Sequence, residues 1–375
     1  MAHDDNMFAE LLLGVALYIE RPTGWESGYP PGLLHAMSNI ALGMGTAFPK
    51  TFSAFLTLCH KSLVDWYPYP LADFTTDYPL MNDGQLGEQA KDYLYSLPDE
   101  LLQKHHKTGF LPASVLDNWE IVRFLDRMHS MDDAVEAQRL YVIIRSFLIE
   151  HSWITSKDLI ALKQQNVTEE SRDYLKTTFY QQDDSGDEIY CCDYCGILHI
   201  TDGQLAGIKP IWCDDHHPSL PYIQTISASS YSRMKPGIHL RTFIPGQAER
   251  VVFAEAEALQ DEHPEHLTAV VRYPGLDAYD LRLKFRDEAW AVDVKDLADP
   301  KDLARKIRPM AQGNVLEHAK EFYVVPDRRL RFVPDYMEQV HRHYGAIKPP
   351  LYLLTQEDFC TRMRSKCAEL IKASR

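Results

Sequence analysis

The sequence predicts a mixed α and β chain in two parts, an α+β or α/β C-terminal region behind a helical N-terminal one, and three observations lead there. Residues 1–180 repeat Leu, Ile, Phe and Trp three and four apart, as in "LDNWEIVRFLDRMHSM" and "DAVEAQRLYVIIRSFLIEH", the spacing of one helix face. The acidic, glycine-bearing "QQDDSGDE" at 181–188 breaks that period and reads as a linker. From about residue 245 helical and period-two stretches alternate in the order helix, three strands, helix, strand, the pattern of a sheet covered by helices. The expected domains are 1–180, mostly helical; 188–222, a cysteine and histidine segment; and 245–375, the α-β-β-β-α-β core.

A chain of 375 residues with 45% hydrophobic and 25% charged residues is that of a globular protein with two or three cores. The apolar run "MFAELLLGVALYIE" carries two glutamates and is shorter than the ~20 residues of a membrane span. With no basic leader either, the expected location is the reducing cytoplasm, where seven cysteines point to metal ligands or free thiols. "EHSWITSKDLIAL" reads as a helical hairpin or a helix-turn-helix. The net charge of −15 excludes a protein that coats nucleic acid by electrostatics alone, yet residues 301–375 carry +6 and the rest −21. No P-loop or dinucleotide fingerprint occurs.

The cysteine and histidine segment is "YCCDYCGILHITDGQLAGIKPIWCDDHHP". Cys192 and Cys195 form one CxxC knuckle and, 17 residues on, Cys213 and His216 form a CxxH knuckle. Four ligands in two tight turns close a tetrahedron around Zn²⁺ and leave no open position, which is a structural staple. Cys191 and His217 stand beside the favoured ligands. A catalytic zinc would need a water-activating glutamate, and none occupies a familiar place.

The chemistry-bearing stretch is "PGLDAYDLRLKFRDEAWAVDVKD", Pro274 to Asp296. "AYDLRLKF" alternates Tyr279, Leu281, Leu283 and Phe285 with Asp280, Arg282 and Lys284. After a turn through 286–288, "AWAVDVKDL" puts Asp293 and Lys295 on one face. The hairpin brings Asp280, Asp293 and Lys295 together. Two carboxylates at close range repel unless one is protonated or a cation stands between them. Hard oxygen donors suit Mg²⁺ or Mn²⁺ with a phosphate oxygen completing the shell, and Lys295 would orient a water or stabilise the developing oxyanion. The bland alternative is a surface hairpin in which Lys295 merely pairs with Asp280 or Asp293. Asp277 competes with Asp280 but falls at the strand entrance.

Asp280 followed by "DVK" at 293–295 resembles the PD-(D/E)xK, restriction-endonuclease-like nuclease superfamily. That resemblance implies a helix "QAERVVFAEAEALQDE", a lead-in strand "HLTAVVRYPG", a following helix "DPKDLARKIRP" and strand "EFYVVPDR". It also implies a metal-directed glutamate on the first helix, for which Glu255 or Glu257 could serve, with Glu257 favoured. A closer resemblance, over roughly the last 180 residues, is to the restriction-endonuclease-like proteins that accompany prokaryotic PIWI-type modules in phage-defence gene clusters. It implies a Mg²⁺-dependent endonuclease in anti-phage defence with a nucleic-acid substrate, DNA before RNA. A helicase or PIWI-like partner and a homo-oligomer are compatible with it. The rival reading is a zinc-stapled adaptor that binds nucleic acid or protein without cutting, and a third is a nuclease that a partner must switch on. "PDRRLRF" and "TRMRSK", with Tyr323 and Phe332 for stacking, are candidate backbone contacts, or an exposed strand end and a solvated helix face.

Overall fold

The computed structural model describes residues 3–19, 31–69, 78–82, 85–95, 97, 113–182, 188–191, 198–200, 224–227, 231–313, 316–345 and 347–374. The chain divides into one unit of residues 1–118 with 297–302 and a second of 119–296 with 303–375. In the first unit, helices His3–Ile19 and Pro31–Met44 pack together, burying Phe8, Leu11, Leu12, Leu33 and Ile40. Gly14 is required at their crossing, because a Cβ there would lie 2.6 Å from the Leu33 side chain.

The second unit is built on a five-stranded sheet. The elements that matter are helix α1 (Ala134–Glu150), helix α2 (Ile244–Glu262), strands β1 (Leu267–Arg272), β2 (Leu281–Phe285) and β3 (Ala289–Val294), helix α3 (Pro300–Lys306), strand β4 (Lys320–Val325), helices α4 (Asp327–Phe332) and α5 (Tyr336–Tyr344), strand β5 (Leu351–Thr355) and helix α6 (Gln356–Ala373). The strand order is β5-β4-β3-β2-β1, antiparallel between β1, β2 and β3 and parallel from β3 to β5. Helix, three strands, helix and strand thus follow in the order expected, and the further parallel strand β5 extends the sheet. Short links force the antiparallel meander, whereas each parallel pairing needs a long return through helices.

Leu281, Leu283 and Phe285 of β2 are buried and Lys284 is exposed, the alternation read from the sequence. β3 is buried on both faces from Trp290 to Val294, as a strand between two helical layers is. Trp290 packs against Phe285, Phe322 and Phe359. One continuous core joins Phe124, Tyr141, Ile144 and Phe147 to Val292, Phe322, Phe359 and Met363. Helix α1 therefore shares its core with the C-terminal sheet.

Local structure differs from expectation at two places. The "EHSWITSKDLIAL" region holds a strand, Trp153–Thr155, between its helices. It pairs with Tyr231–Met234, so β-branched Ile154 and Thr155 follow strand rather than hairpin geometry. "PDRRLRF" is helix α4 from Asp327 on, with Pro326 as its N-cap. The four expected zinc ligands, Cys192, Cys195, Cys213 and His216, lie outside the described residues.

Candidate active site

Register builds the site. Leu281 pairs with Val292, so the next step along sets Asp280 against Asp293. The Val294 N–H donates to Asp280 Oδ2 at 2.6 Å, and the Lys295 ammonium donates to Asp293 Oδ1 at 2.7 Å. Asp280 and Asp293 are 8% and 9% exposed, so the arrangement is not the solvated surface hairpin of the bland reading. The three side chains line a cavity of about 380 Å³ together with Asp277, Arg308 and Tyr323.

The electrostatics are those of an uncompensated acidic site. Burial, then the negative charges of Glu249 and Asp293, push the Asp280 carboxyl well above the usual carboxylate range, with Lys295 pulling the other way. Burial alone would lower the Lys295 ammonium, but Asp293 and Asp280 overcome it and hold the amine above the ordinary lysine range. In the cation-free chain this favours Lys295 as a proton-bearing donor.

The first-helix glutamate is where sequence and structure part. Glu257 accepts from Arg272 Nε at 2.8 Å and Nη2 at 2.7 Å, in a separate cavity of about 690 Å³ walled by α1 and β1. Glu255 pairs with Arg364. The α2 carboxylate whose charge acts on Asp280 is Glu249, one turn into the helix and 3% exposed, although it does not line the cavity. The helical period explains the correction: at about 100° per residue, Glu257 is turned about 80° from Glu249. Glu249 lies on the apolar stripe with Val252, Phe253 and Ala256, a position three, four and seven residues from them that the sequence does show. It accepts from Arg145 at 2.9 Å and from the Tyr273 hydroxyl at 2.7 Å. Burial raises its carboxyl against the pull of Arg145 and of the Tyr273 hydroxyl.

Two more groups were not visible in sequence. The Arg308 side chain is exposed at the cavity and has no hydrogen-bond or ion-pair partner among the described residues. Its backbone is pinned by the Tyr323 hydroxyl, which accepts from Arg308 N at 3.3 Å and donates to Arg308 O at 2.9 Å. Tyr323, expected as a stacking surface, is 3% exposed and does this instead, while Phe332 is 63% exposed. The second is the turn 273–277, where Tyr273, Gly275, Leu276 and Asp277 all take positive φ. For the three non-glycine residues this costs about 1 kcal/mol or more each. At Gly275 a Cβ would also crowd Leu316 at 3.1 Å.

Among the described residues no group of three or more His, Cys, Asp or Glu side chains is gathered at metal-holding distances. The donor chemistry nonetheless fits a hard divalent cation. Asp280 and Asp293 present oxygen ligands in a buried pocket whose negative charge raises Asp280. Asp277, held by the Tyr141 hydroxyl through Oδ2 at 2.7 Å, leaves its buried Oδ1 without a partner. A cation would offset both defects.

Residues 246–370 match the family model described as "REase associating with pPIWI_RE". The resemblance to restriction-endonuclease-like proteins linked to PIWI-type modules therefore holds for the C-terminal third. The matched stretch takes in Glu249, Asp280, Asp293, Lys295 and Arg308 and leaves out α1. No curated protein and no solved structure matches the chain. Among the described residues no helix is long and apolar enough to cross a membrane.

Proposed function

We propose that the C-terminal region is a Mg²⁺- or Mn²⁺-dependent endonuclease that hydrolyses phosphodiesters, DNA in preference to RNA, and works with a PIWI-type partner in anti-phage defence. The observation that carries the reading is the buried pair Asp280 and Asp293 with Lys295 bonded to it in one polar cavity. Asp280 and Asp293 would hold the cation. When bound, that cation supplies Lewis-acid polarisation of the phosphoryl group and a more acidic water. Lys295, kept protonated, donates to the attacking water or to the charge that develops on the phosphoryl oxygens. Arg308 would meet a phosphate oxygen at the cavity mouth, and Glu249 adds the negative charge that keeps the pocket selective for cations. The family match supports the nuclease class; the substrate, the cation and the defence role are our reading.

The test is titration of Mg²⁺ or Mn²⁺ into the full chain with labelled DNA and RNA. Wild type should release fragments, and Asp293→Ala and Lys295→Ala should release none while keeping the far-UV signal. Full activity in Lys295→Ala would overturn the assignment, and binding without fragments at any metal concentration would favour the adaptor. We also propose a structural zinc on Cys192, Cys195, Cys213 and His216, for which one zinc per chain in wild type and in both variants is the expected elemental analysis.

A further inference from the structure

Resting on the nuclease reading above, we propose that α1 is a built-in positioning element of the site, acting through Gln138, Tyr141 and Arg145 on the turn 273–277 and on Glu249. None of these three residues falls in the matched stretch 246–370. They stand three and four apart, on one face of the helix.

Each holds a different part of the acidic site. Gln138 spans the turn: its amide nitrogen donates to Tyr273 O at 2.8 Å, and its amide oxygen accepts from Leu276 N at 2.8 Å. The Tyr141 hydroxyl donates to Asp277 at 2.7 Å. Arg145 donates to Glu249 at 2.9 Å and lies 5.5 Å from the centre of the Tyr273 ring. The turn is tied in turn to the proposed ligand, since Tyr273 N–H donates to Asp280 O at 2.8 Å.

The backbone states why such a clamp is needed. Tyr273, Leu276 and Asp277 lie in the left-handed region, which non-glycine residues hold only when surrounding contacts over-determine it. Three hydrogen bonds on this turn come from α1, and Glu249 adds one to the Tyr273 hydroxyl. Without them the turn would relax toward ordinary dihedrals and carry Asp280 out of register with Asp293, which acts on catalysis far more than on the distant aromatic core. Helix α1 is thus a part of the site that the matched third of the chain does not contain.

Tyr141→Phe is the sensitive test, because it deletes one hydroxyl and keeps the ring packed on Phe124 and Tyr273. Gln138→Ala is its companion. In the full chain both variants should lower kcat for Mn²⁺-dependent cleavage about tenfold or more with KM nearly unchanged. Both should also weaken Mn²⁺ binding, read by paramagnetic resonance independently of turnover. Wild-type kcat and Mn²⁺ affinity in both variants would overturn the proposal while leaving the nuclease reading intact. Loss of the folded far-UV signal in both would also overturn it, since α1 would then hold the fold and not the site. A wild-type chain that neither cuts nor binds Mn²⁺ would remove the nuclease reading and this inference together.

Discussion

Two aspartates sixteen residues apart, Asp280 and Asp296, are equally buried at 8% exposure and live in opposite electrostatic worlds. Asp296 is bonded by the guanidinium of Arg328 and, at 2.7 Å, by Arg329 Nε. Burial alone would raise its carboxyl, but Arg329 and Arg328 overcome that and hold it below the usual range. Asp280 is surrounded by Glu249 and Asp293 with a single ammonium nearby, and it is raised. A buried acid that the fold has neutralised is architecture. One that the fold leaves opposed by other acids is the candidate for a functional site, and that contrast separates the two better than burial does.

The contrast is open to direct attack. The largest effect expected is on chemistry: Asp280→Asn should lower cation-dependent cleavage by about 10³-fold or more, the loss of a metal ligand, whereas Asp296→Asn should leave kcat per folded molecule within a few-fold. The next is on stability. Asp296→Asn removes the buried carboxylate that the half-buried Arg328 and Arg329 share and should cost about 3 kcal/mol, read by urea melts.

Asp280→Asn should do the reverse and stabilise the cation-free chain at neutral pH, because the amide oxygen can still accept from Val294 N–H. The pH signs differ between the two residues. The folded value of Asp280 is raised, so its contribution to stability is full below about pH 4 and is lost as pH climbs through that raised value. The advantage of Asp280→Asn should therefore vanish near pH 4 and grow above it. Asp296, held low, contributes above about pH 4 and loses that contribution as pH falls through its depressed value. Parallel melts from about pH 2 to 8 check both, Asp296 below about pH 4 and Asp280 above it, and an Asp280→Asn advantage that does not change with pH would break the comparison.

The smallest effect is expected at Arg308→Ala. Loss of one phosphate contact should raise KM about tenfold and reduce the salt dependence of nucleic-acid binding by about one unit of slope.

Much of this was legible in the chain. Period-two alternation in Leu281, Leu283 and Phe285 defined β2, and the same parity placed Asp293 of β3 on one face with Lys295, just past the strand's end. The helical spacing of Val252, Phe253 and Ala256 marked the buried stripe of α2, and Glu249 on that stripe was readable yet passed over. The resemblance implies a glutamate on this helix and leaves Glu255 and Glu257 open, with Glu257 favoured; the Arg272 that Glu257 meets comes from β1, and no local pattern announces that pairing.

What the sequence by itself determined is therefore what short-range geometry decides: the order of helices and strands, the face on which each side chain stands, and the carboxylates of the hairpin. The tertiary structure alone decided what long-range contact controls. It set Glu249 against Arg145 and Tyr273 and Glu257 against Arg272, left Arg308 exposed at the cavity, and brought α1, more than 120 residues earlier in the chain, against the turn before Asp280. Charge balance in a buried pocket is the sum over such distant neighbours, so the same residue, aspartate, can be a neutralised strut at 296 and an acid opposed by other acids at 280.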